Sequence, residues 1–261
     1  MCGRVAQYQG AREYAQLMAD WPFLDLTDGE PLERYNVAPS TQVAILRLVG
    51  EDLVAQLVRW GWRPFWAQDR AAPINARAEK VAHSRFYSAV WKHRAITPID
   101  GWFEWVDEGG ARKQPYFIQR ADGAAVLCAT IGQFPELDRQ QEERHGFVII
   151  TADAQGGMVD VHDRRPVVLS PELAREWVDG ATPPERAEQM VLQEGEAPEV
   201  FTWYRVDRAV GNVRNQGEVS GDESGRYPSP VASDEGPRSP NHSVRPRTRF
   251  PHSSGNMQPP P

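Results

Sequence analysis

The sequence predicts an α+β fold: a mixed, largely antiparallel β-sheet curled into a barrel-like core, with a few flanking helices. Three observations predict it. Strand-like runs dominate residues 1–217. They are separated by Gly- and Pro-containing turns without regular βαβ alternation. Helical periodicity is confined to a few stretches.

The elements follow in chain order. Arg12–Ala19 places Tyr14, Leu17 and Met18 at helical spacing. Val43–Val49 and Leu53–Trp60 flank Gly50-Glu51-Asp52 and read as a hairpin. Ile74–Glu79, after Pro73, reads as a loop or strand end leading into a helix. Gly101–Val106 and Gln114–Gln119 flank Gly109-Gly110 and read as a second hairpin. Ala125–Ile131, Phe147–Thr151, Val167–Leu169 and Phe201–Val206 are further strands. Ser170-Pro171-Glu172 supplies an N-cap with Pro in the first turn, opening a helix to about Val178. Thr182-Pro183 opens another to about Leu192. No internal repeat is visible.

Composition changes near residue 217. From Glu218 to Pro261 the chain is rich in Pro, Ser, Gly and Arg and nearly free of large aliphatics. Such a segment buries too little apolar area to offset chain entropy. The expectation is one folded domain, 1–217, and a disordered tail, 218–261, which Arg226, Arg238, Arg245, Arg247 and Arg249 make mildly basic.

The 261 residues are 40% hydrophobic and include nine Trp, enough for a substantial core. No run of about 18 apolar residues is present, so no membrane helix is expected. The opening Met1-Cys2-Gly3-Arg4 has no apolar stretch of the signal-peptide kind, which points to the cytoplasm. Two cysteines, Cys2 and Cys128, are too few for an all-cysteine zinc site and fit a reducing compartment. A net charge of −7 excludes a globally basic, histone-like DNA binder, but not a local cationic groove.

Four groups of residues carry candidate chemistry. Removal of Met1 would leave Cys2 with a free α-amine and a thiol on one residue. That amine has a pKa of about 7.7–8.0, against about 10.4 for Lys, so a useful fraction is unprotonated at neutral pH. It can attack an aldehyde to give an imine, and the thiolate can then close a five-membered thiazolidine. An incidental cysteine after Met1 is the plain alternative. In Asn75-Ala76-Arg77-Ala78-Glu79, Asn offers a donor and an acceptor and Arg a fork for phosphate, or Glu79 simply starts a helix. In Gly101-Trp102-Phe103-Glu104-Trp105, period two puts Trp102 and Glu104 on one face. A desolvated Glu104 would have a raised pKa suited to proton transfer, whereas an edge strand would turn it outward. Val161–Pro166 combines His162 with Arg164 and Arg165, a proton carrier beside phosphate ligands or a solvated charged loop. Trp60–Trp66 is aromatic-rich and offers either core rings or a stacking face. Cys128 reads as a small buried hydrophobe.

Together these pieces resemble the SRAP (SOS response-associated peptidase) family of abasic-site processing proteins. The resemblance rests on Met1–Arg4, Tyr35-Asn36-Val37-Ala38-Pro39, Ile74–Glu79, Asp100–Trp105, Val161–Pro166 and Ala209-Val210-Gly211-Asn212-Val213, in family order across about 1–217. It implies that mature Cys2 forms a thiazolidine with the ring-opened sugar of an abasic site, giving a DNA–protein cross-link that shields the site. It implies catalytic roles for Asn75, which holds the amine and sugar, Glu104, the acid–base residue, and His162, which promotes ring opening. It implies DNA-binding roles for Arg4, Arg77, Arg85 and Arg164 at phosphates, and for Pro39 and Trp66 as wedge and stacking surface. The implied partner is single-stranded DNA containing abasic sites, including single-to-double-strand junctions. No metal or organic cofactor is implied. The protein would act as a monomer in the cytoplasm, associating with the nucleoid during DNA damage. The alternatives are an N-terminal-cysteine peptidase whose α-amine is the base, and a noncovalent nucleic-acid-binding module.

Overall fold

The computed structural model describes residues 2–18, 21–29, 32–217 and 221–226. In chain order the elements are β1 (Val5–Gln7), α1 (Ala11–Leu17), β2 (Phe23–Leu26), β3 (Arg34–Val37), β4 (Gln42–Val49) and β5 (Asp52–Arg59). Then come β6 (Asn75–Arg77), α2 (Ala78–Val81), β7 (Arg94–Ile99), β8 (Gly101–Val106), β9 (Gln114–Arg120), β10 (Val126–Gln133) and β11 (Gly146–Asp153). The last are β12 (Arg164–Pro166), α3 (Pro171–Val178), α4 (Pro184–Gln193), β13 (Phe201–Val206) and β14 (Gly221–Arg226). Both expected hairpins form, as β4–β5 and β8–β9.

The strands make two sheets. One runs β14-β13-β9-β8-β1-β3; the other runs β12-β11-β10-β7-β4-β5-β2, with β6 added in parallel to β11. Pairing is antiparallel except at β2–β5 and β6–β11. Neither sheet closes on itself among the described residues, so the barrel-like core of the expectation is two open layers. Alternation along the strands explains the layering. Val43 and Ile45, Val126 and Cys128, and Ile149 face Val5, Trp102, Ile118 and Phe201 of the smaller sheet. Leu46, Leu127, Ala129, Val148 and Ile150 point the other way, against the apolar stripes of α1 to α4. A smaller cluster of Ala6, Phe103, Phe117 and Val206 covers the outer face of the smaller sheet.

Two buried polar side chains hold the layers in register. β4 and β7 register at Leu46–Ile96, and Pro98 lies two residues further along β7. Proline has no N–H to give to the ladder, which is why it is rare in a central strand. Gln7 of the other sheet fills the gap. Its Nε2 donates to the carbonyls of Ala44 (2.9 Å) and Pro98 (2.7 Å), and its Oε1 accepts from Ala44 N (2.9 Å). Arg94 caps the end of α3, donating to the carbonyls of Trp177, Asp179 and Thr182 where the helix dipole is negative. At the other end of α3, Ser170 Oγ accepts from Leu173 N, as its N-cap pattern predicts.

Two expectations shift. The strand placed at Val167–Leu169 lies at Arg164–Pro166; Val168 makes only an isolated bridge to Cys128. The first helix ends at Leu17, and Ala19 lies outside the described residues. Residues 218–220 and 227–261 of the expected tail also lie outside them, while Gly221–Arg226 pair with β13. Among the described residues no helix is long and apolar enough to cross a membrane.

Gln7→Leu fills the same space but strands three buried backbone groups. We expect it to cost about 3–9 kcal/mol, at roughly 1–3 kcal/mol for each group left unpaired. Urea unfolding checks this; a loss below about 1 kcal/mol would show that the amide is not the inter-sheet tie.

Candidate functional site

The site begins with the ladder that pins the N-terminus. Val5 pairs with Trp102 and Ala6 with Gly101, and Phe103 N donates to Arg4 O (2.9 Å). The antiparallel sense carries the chain toward Glu104 as it runs back to Cys2. A side chain at Gly101 would not fit, because a Cβ there would lie 2.5 Å from the Ile118 carbonyl. Cys2 is fully buried in the core between the sheets. Burial first, and the nearby Glu104 carboxylate second, push its thiol well above the ordinary cysteine value.

Asn75 meets Cys2 from the other sheet. Its Nδ2 donates to Cys2 O at 2.8 Å. Parallel pairing of Asn75 with Ile149 fixes its backbone, and the indole N–H of Trp60 holds the preceding carbonyl of Ile74 (2.9 Å). Asn75 Oδ1 is buried with no hydrogen-bond partner. A buried acceptor left open in this way is costly, and a donor on a bound molecule would satisfy it.

Glu104 and Trp102 share the inner face of β8, while Phe103 and Trp105 belong to the outer cluster. Glu104 is 3% exposed, and burial pushes its carboxyl up to about 7. His162 follows the short 3-10 helix Gly156–Asp160. Its Nε2 lies 3.9 Å from Glu104 Oε2. Its Nδ1 accepts from Arg164 N (3.0 Å) and lies 2.5 Å from Asp163 Oδ1. Burial holds the imidazole below its ordinary value, against the upward pull of Asp163. Acid, imidazole and thiol are thus all biased toward their neutral forms.

The expected DNA-binding residues separate into three arrangements. Arg77 and Arg85 are exposed, and the Arg85 guanidinium stacks 5.7 Å from the Trp66 ring, which in turn packs edge-on against Phe86. Trp66 is 48% exposed and its neighbour Phe65 85%. Pro39 is half-buried; the following residue, Ser40, has a positive φ of 67° and donates its N–H to Trp60 O. Arg4 is half-buried over Trp105, with Nη1 donating to Asn36 Oδ1 (2.6 Å) and Val210 O (3.0 Å). Arg164 differs from the rest. It is buried, and its terminal nitrogens donate to Glu79 (2.7 and 3.1 Å), Asp153 (2.6 Å) and the Thr151 carbonyl rather than facing solvent.

Asn36 is the residue that sequence reasoning missed. Its Nδ2 donates to the carbonyls of Val210, Asn212 and Asn215 while its Oδ1 holds Arg4. It therefore joins the Tyr35–Pro39 and Ala209–Val213 motifs. The available signal was an amide between Tyr35 and Val37, which burial obliges to find partners. Among the described residues no three His, Cys, Asp or Glu side chains cluster as metal ligands would.

Comparison with known proteins adds an independent finding. The family model described as SOS response associated peptidase (SRAP) matches residues 1–213. The abasic site processing protein YedK of Escherichia coli (strain K12) is 47% identical over 219 residues, spanning 83% of this chain and 97% of the relative. The abasic site processing protein HMCES of Gallus gallus is 25% identical over 261 residues, spanning 82% and 75% respectively. A crystal structure of a phage-related protein from Bordetella bronchiseptica superposes with a TM-score of 0.66 at 37% identity, covering 79% of this chain and 95% of that one.

Because the Glu104 carboxyl titrates near 7 when folded and near 4.5 when unfolded, the native state holds more protons between those values. The stabilising contribution is complete below about pH 4.5 and lost as pH rises through about 7. Glu104→Gln should therefore be more stable than the parent by about 3 kcal/mol at pH 8, with the difference shrinking as pH falls toward 4.5. Thermal unfolding from pH 4.5 to 8.5 measures it; a pH-independent difference would place Glu104 in a solvated setting.

Proposed function

The chain belongs to the SOS response-associated peptidase family, and on that premise we propose that it processes abasic sites in single-stranded DNA by forming a covalent thiazolidine through Cys2. The observation that carries this reading is the meeting of two sheets at Cys2: β1 zips it along β8 toward Glu104, and Asn75 of β6 bonds its carbonyl at 2.8 Å. The names of the curated relatives, abasic site processing proteins, give the substrate class.

The chemistry follows from the groups present. Removal of Met1 frees the Cys2 α-amine beside its own thiol. An abasic sugar exposes an aldehyde when its ring opens, and neutral His162, with its Nε2 turned to the site, can hydrogen-bond the opened sugar. The amine attacks the aldehyde carbon. One amine proton passes to the oxygen; Glu104, about half protonated near pH 7, gives it the second, so that it leaves as water and a protonated imine remains. The Cys2 thiol then gives its proton to the Glu104 carboxylate and its sulfur adds to the imine carbon. The nitrogen keeps its one proton, Glu104 is restored, and the carbon ends bonded to nitrogen and sulfur. Holding amine and thiol on one residue makes ring closure intramolecular. The aldehyde that would drive strand scission is consumed. The reverse sequence needs the same acid and base.

Strand binding falls to the exposed and half-buried cations and rings. Arg77, Arg85 and Arg4 are the proposed phosphate contacts, and Trp66 with Phe65 the surface on which a base stacks. Pro39 is the proposed wedge. The net charge of −7 leaves binding to this local cluster rather than to the whole surface.

An oligonucleotide with one abasic site, mixed with purified protein, should give a band that survives denaturing electrophoresis. Its intact mass should equal protein lacking Met1 plus DNA minus one water. Cys2→Ala should abolish the band while retaining reversible binding; a band that persists would assign the bond to a lysine. Arg77→Ala should flatten the dependence of log Kd on log salt by about 0.7, the increment for one single-strand phosphate. An unchanged slope would remove Arg77 from the DNA path.

A further inference from the structure

We propose that Tyr116 is a positioning residue for Glu104: its ring, pinned by Glu108 and Arg205, walls the carboxyl from solvent and sets the pH range over which the chemistry runs. The proposal rests on the cross-linking reading above, which is the reaction that uses the Glu104 proton. The geometry comes from one row of residues across the smaller sheet. Glu104 of β8 is paired with Tyr116 of β9, and Tyr116 with Arg205 of β13. Period two puts all three on the face of Trp102, Ile118 and Trp203, which is the inner one. Directly opposite side chains on one face of an antiparallel pair stand about 4.5–5.5 Å apart at Cβ. An aromatic ring therefore covers Glu104 on the β9 side, while the chain leading to Cys2 flanks it on the β1 side. Tyr116 is 5% exposed, so its ring lies within the layer.

A triangle of bonds fixes the ring. Tyr116 Oη donates to Glu108 Oε1 (2.6 Å) and accepts from Arg205 Nε (3.1 Å). Arg205 Nη2 donates to the same Glu108 oxygen (2.8 Å). Glu108 belongs to the turn between β8 and β9, so the phenol is held from two elements, by partners that are themselves partly exposed. Burial, and then the bond to Glu108, keep the phenol above its ordinary value. The bonds from Tyr116 and Arg205 keep the Glu108 carboxyl below its own. The triangle is thus one neutral O–H, one carboxylate and one guanidinium, with no net charge to impose on Glu104.

Its effect on Glu104 is exclusion of water. Burial is the largest influence on that carboxyl, and it favours the neutral form. The other groups that face Glu104 act by charge or hydrogen bonding. The amino-terminal nitrogen draws the carboxyl down and Asp163 pushes it up, each less than burial does. His162 Nε2 stands 3.9 Å away, and the Cys2 thiol is held neutral by its own burial. Taking the ring away would admit water beside Glu104 without changing any of these charges.

The test reads the Glu104 carboxyl directly, by carbon-13 NMR titration of the full chain without DNA. It reads the use of that carboxyl by the single-turnover cross-linking rate on an abasic oligonucleotide from pH 5.5 to 8.5. Tyr116→Val keeps a strand-forming residue but opens the wall; Tyr116→Phe keeps the ring but loses both pins. We expect Tyr116→Val to lower the Glu104 midpoint by about one pH unit and Tyr116→Phe by less than half as much. Cross-linking by Tyr116→Val should then fall roughly tenfold at pH 8 and less than about twofold at pH 5.5, because the protonated fraction is lost above the new midpoint. The pins are tested by charge changes of opposite sign. Through charge alone Glu108→Ala would lower the Glu104 midpoint and Arg205→Gln would raise it; a loosened ring lowers it in both. An unmoved midpoint in folded Tyr116→Val, a Tyr116→Phe shift as large as that of Tyr116→Val, or a rise in Arg205→Gln overturns the proposal. A midpoint that moves while the cross-linking profile stays put overturns it too. Thermal unfolding identifies a Tyr116→Val protein that has not folded. Arg205→Gln, altered at a partly exposed site, then decides: a lowered midpoint supports the wall, and an unchanged or raised one rejects it. The NMR arm needs no DNA, so a parent that never cross-links counts against the thiazolidine reading alone.

Discussion

The short antiparallel ladder between Val5–Gln7 and Gly101–Val106 is the constraint on which the rest depends. Chain termini usually fray because nothing holds their backbone. Here the first residues are drawn under the second sheet. Cys2 is fully buried, Gln7 reaches across to Ala44 and Pro98, and Arg4 is tied to Asn36 and Val210 on the outer face. Asp100 reinforces the same junction, accepting from Tyr14 Oη (2.5 Å), Gln9 Nε2 (2.6 Å) and Tyr8 N (2.6 Å). Loosening the ladder would lose the core contacts of Val5 and the position of Cys2 together.

Burial also decides the electrostatics. A low-dielectric surrounding disfavours every charged form, so the thiol and carboxyl titrate upward and the imidazole downward. The interior of the site is therefore near neutral, while Arg77 and Arg85 stand exposed at positions contributed by β6 and the segment after α2. This division suits a reaction that passes protons between neutral groups while binding a polyanion. It also explains how an acidic chain can present a local cationic surface.

Much of the fold was legible because its signals are local. Gly50-Glu51-Asp52 and Gly109-Gly110 marked two hairpins between alternating runs, and Ser170-Pro171 marked a helix start. The strand Arg94–Ile99 was not legible. Every residue of it is buried, on both faces of a sheet covered by helices and by the second sheet, so no polar alternation shows. The strand at Arg164–Pro166 was read three residues late, because two arginines suggested a solvated loop. Arg164 is held by Glu79 and Asp153, and Arg165 lies over the Phe201 ring, partners that the local pattern does not reveal. Glu104 was legible as a carboxylate among aromatic residues, and period two put it on the face of Trp102; that this face is the inner one depends on the second sheet, which the local pattern does not show. The three carbonyls gathered by Asn36 lie more than 170 residues away in the chain and left no local trace.

The central claim is that one carbon of the abasic sugar becomes bonded to both the nitrogen and the sulfur of Cys2. An abasic oligonucleotide labelled with carbon-13 at C1′ and reacted with the full chain tests this at the atom concerned. A single C1′ resonance at the position of a saturated carbon carrying nitrogen and sulfur is expected, with its attached proton correlating to the Cys2 β-protons. An imine carbon, a retained aldehyde, or correlations to a lysine side chain would contradict it.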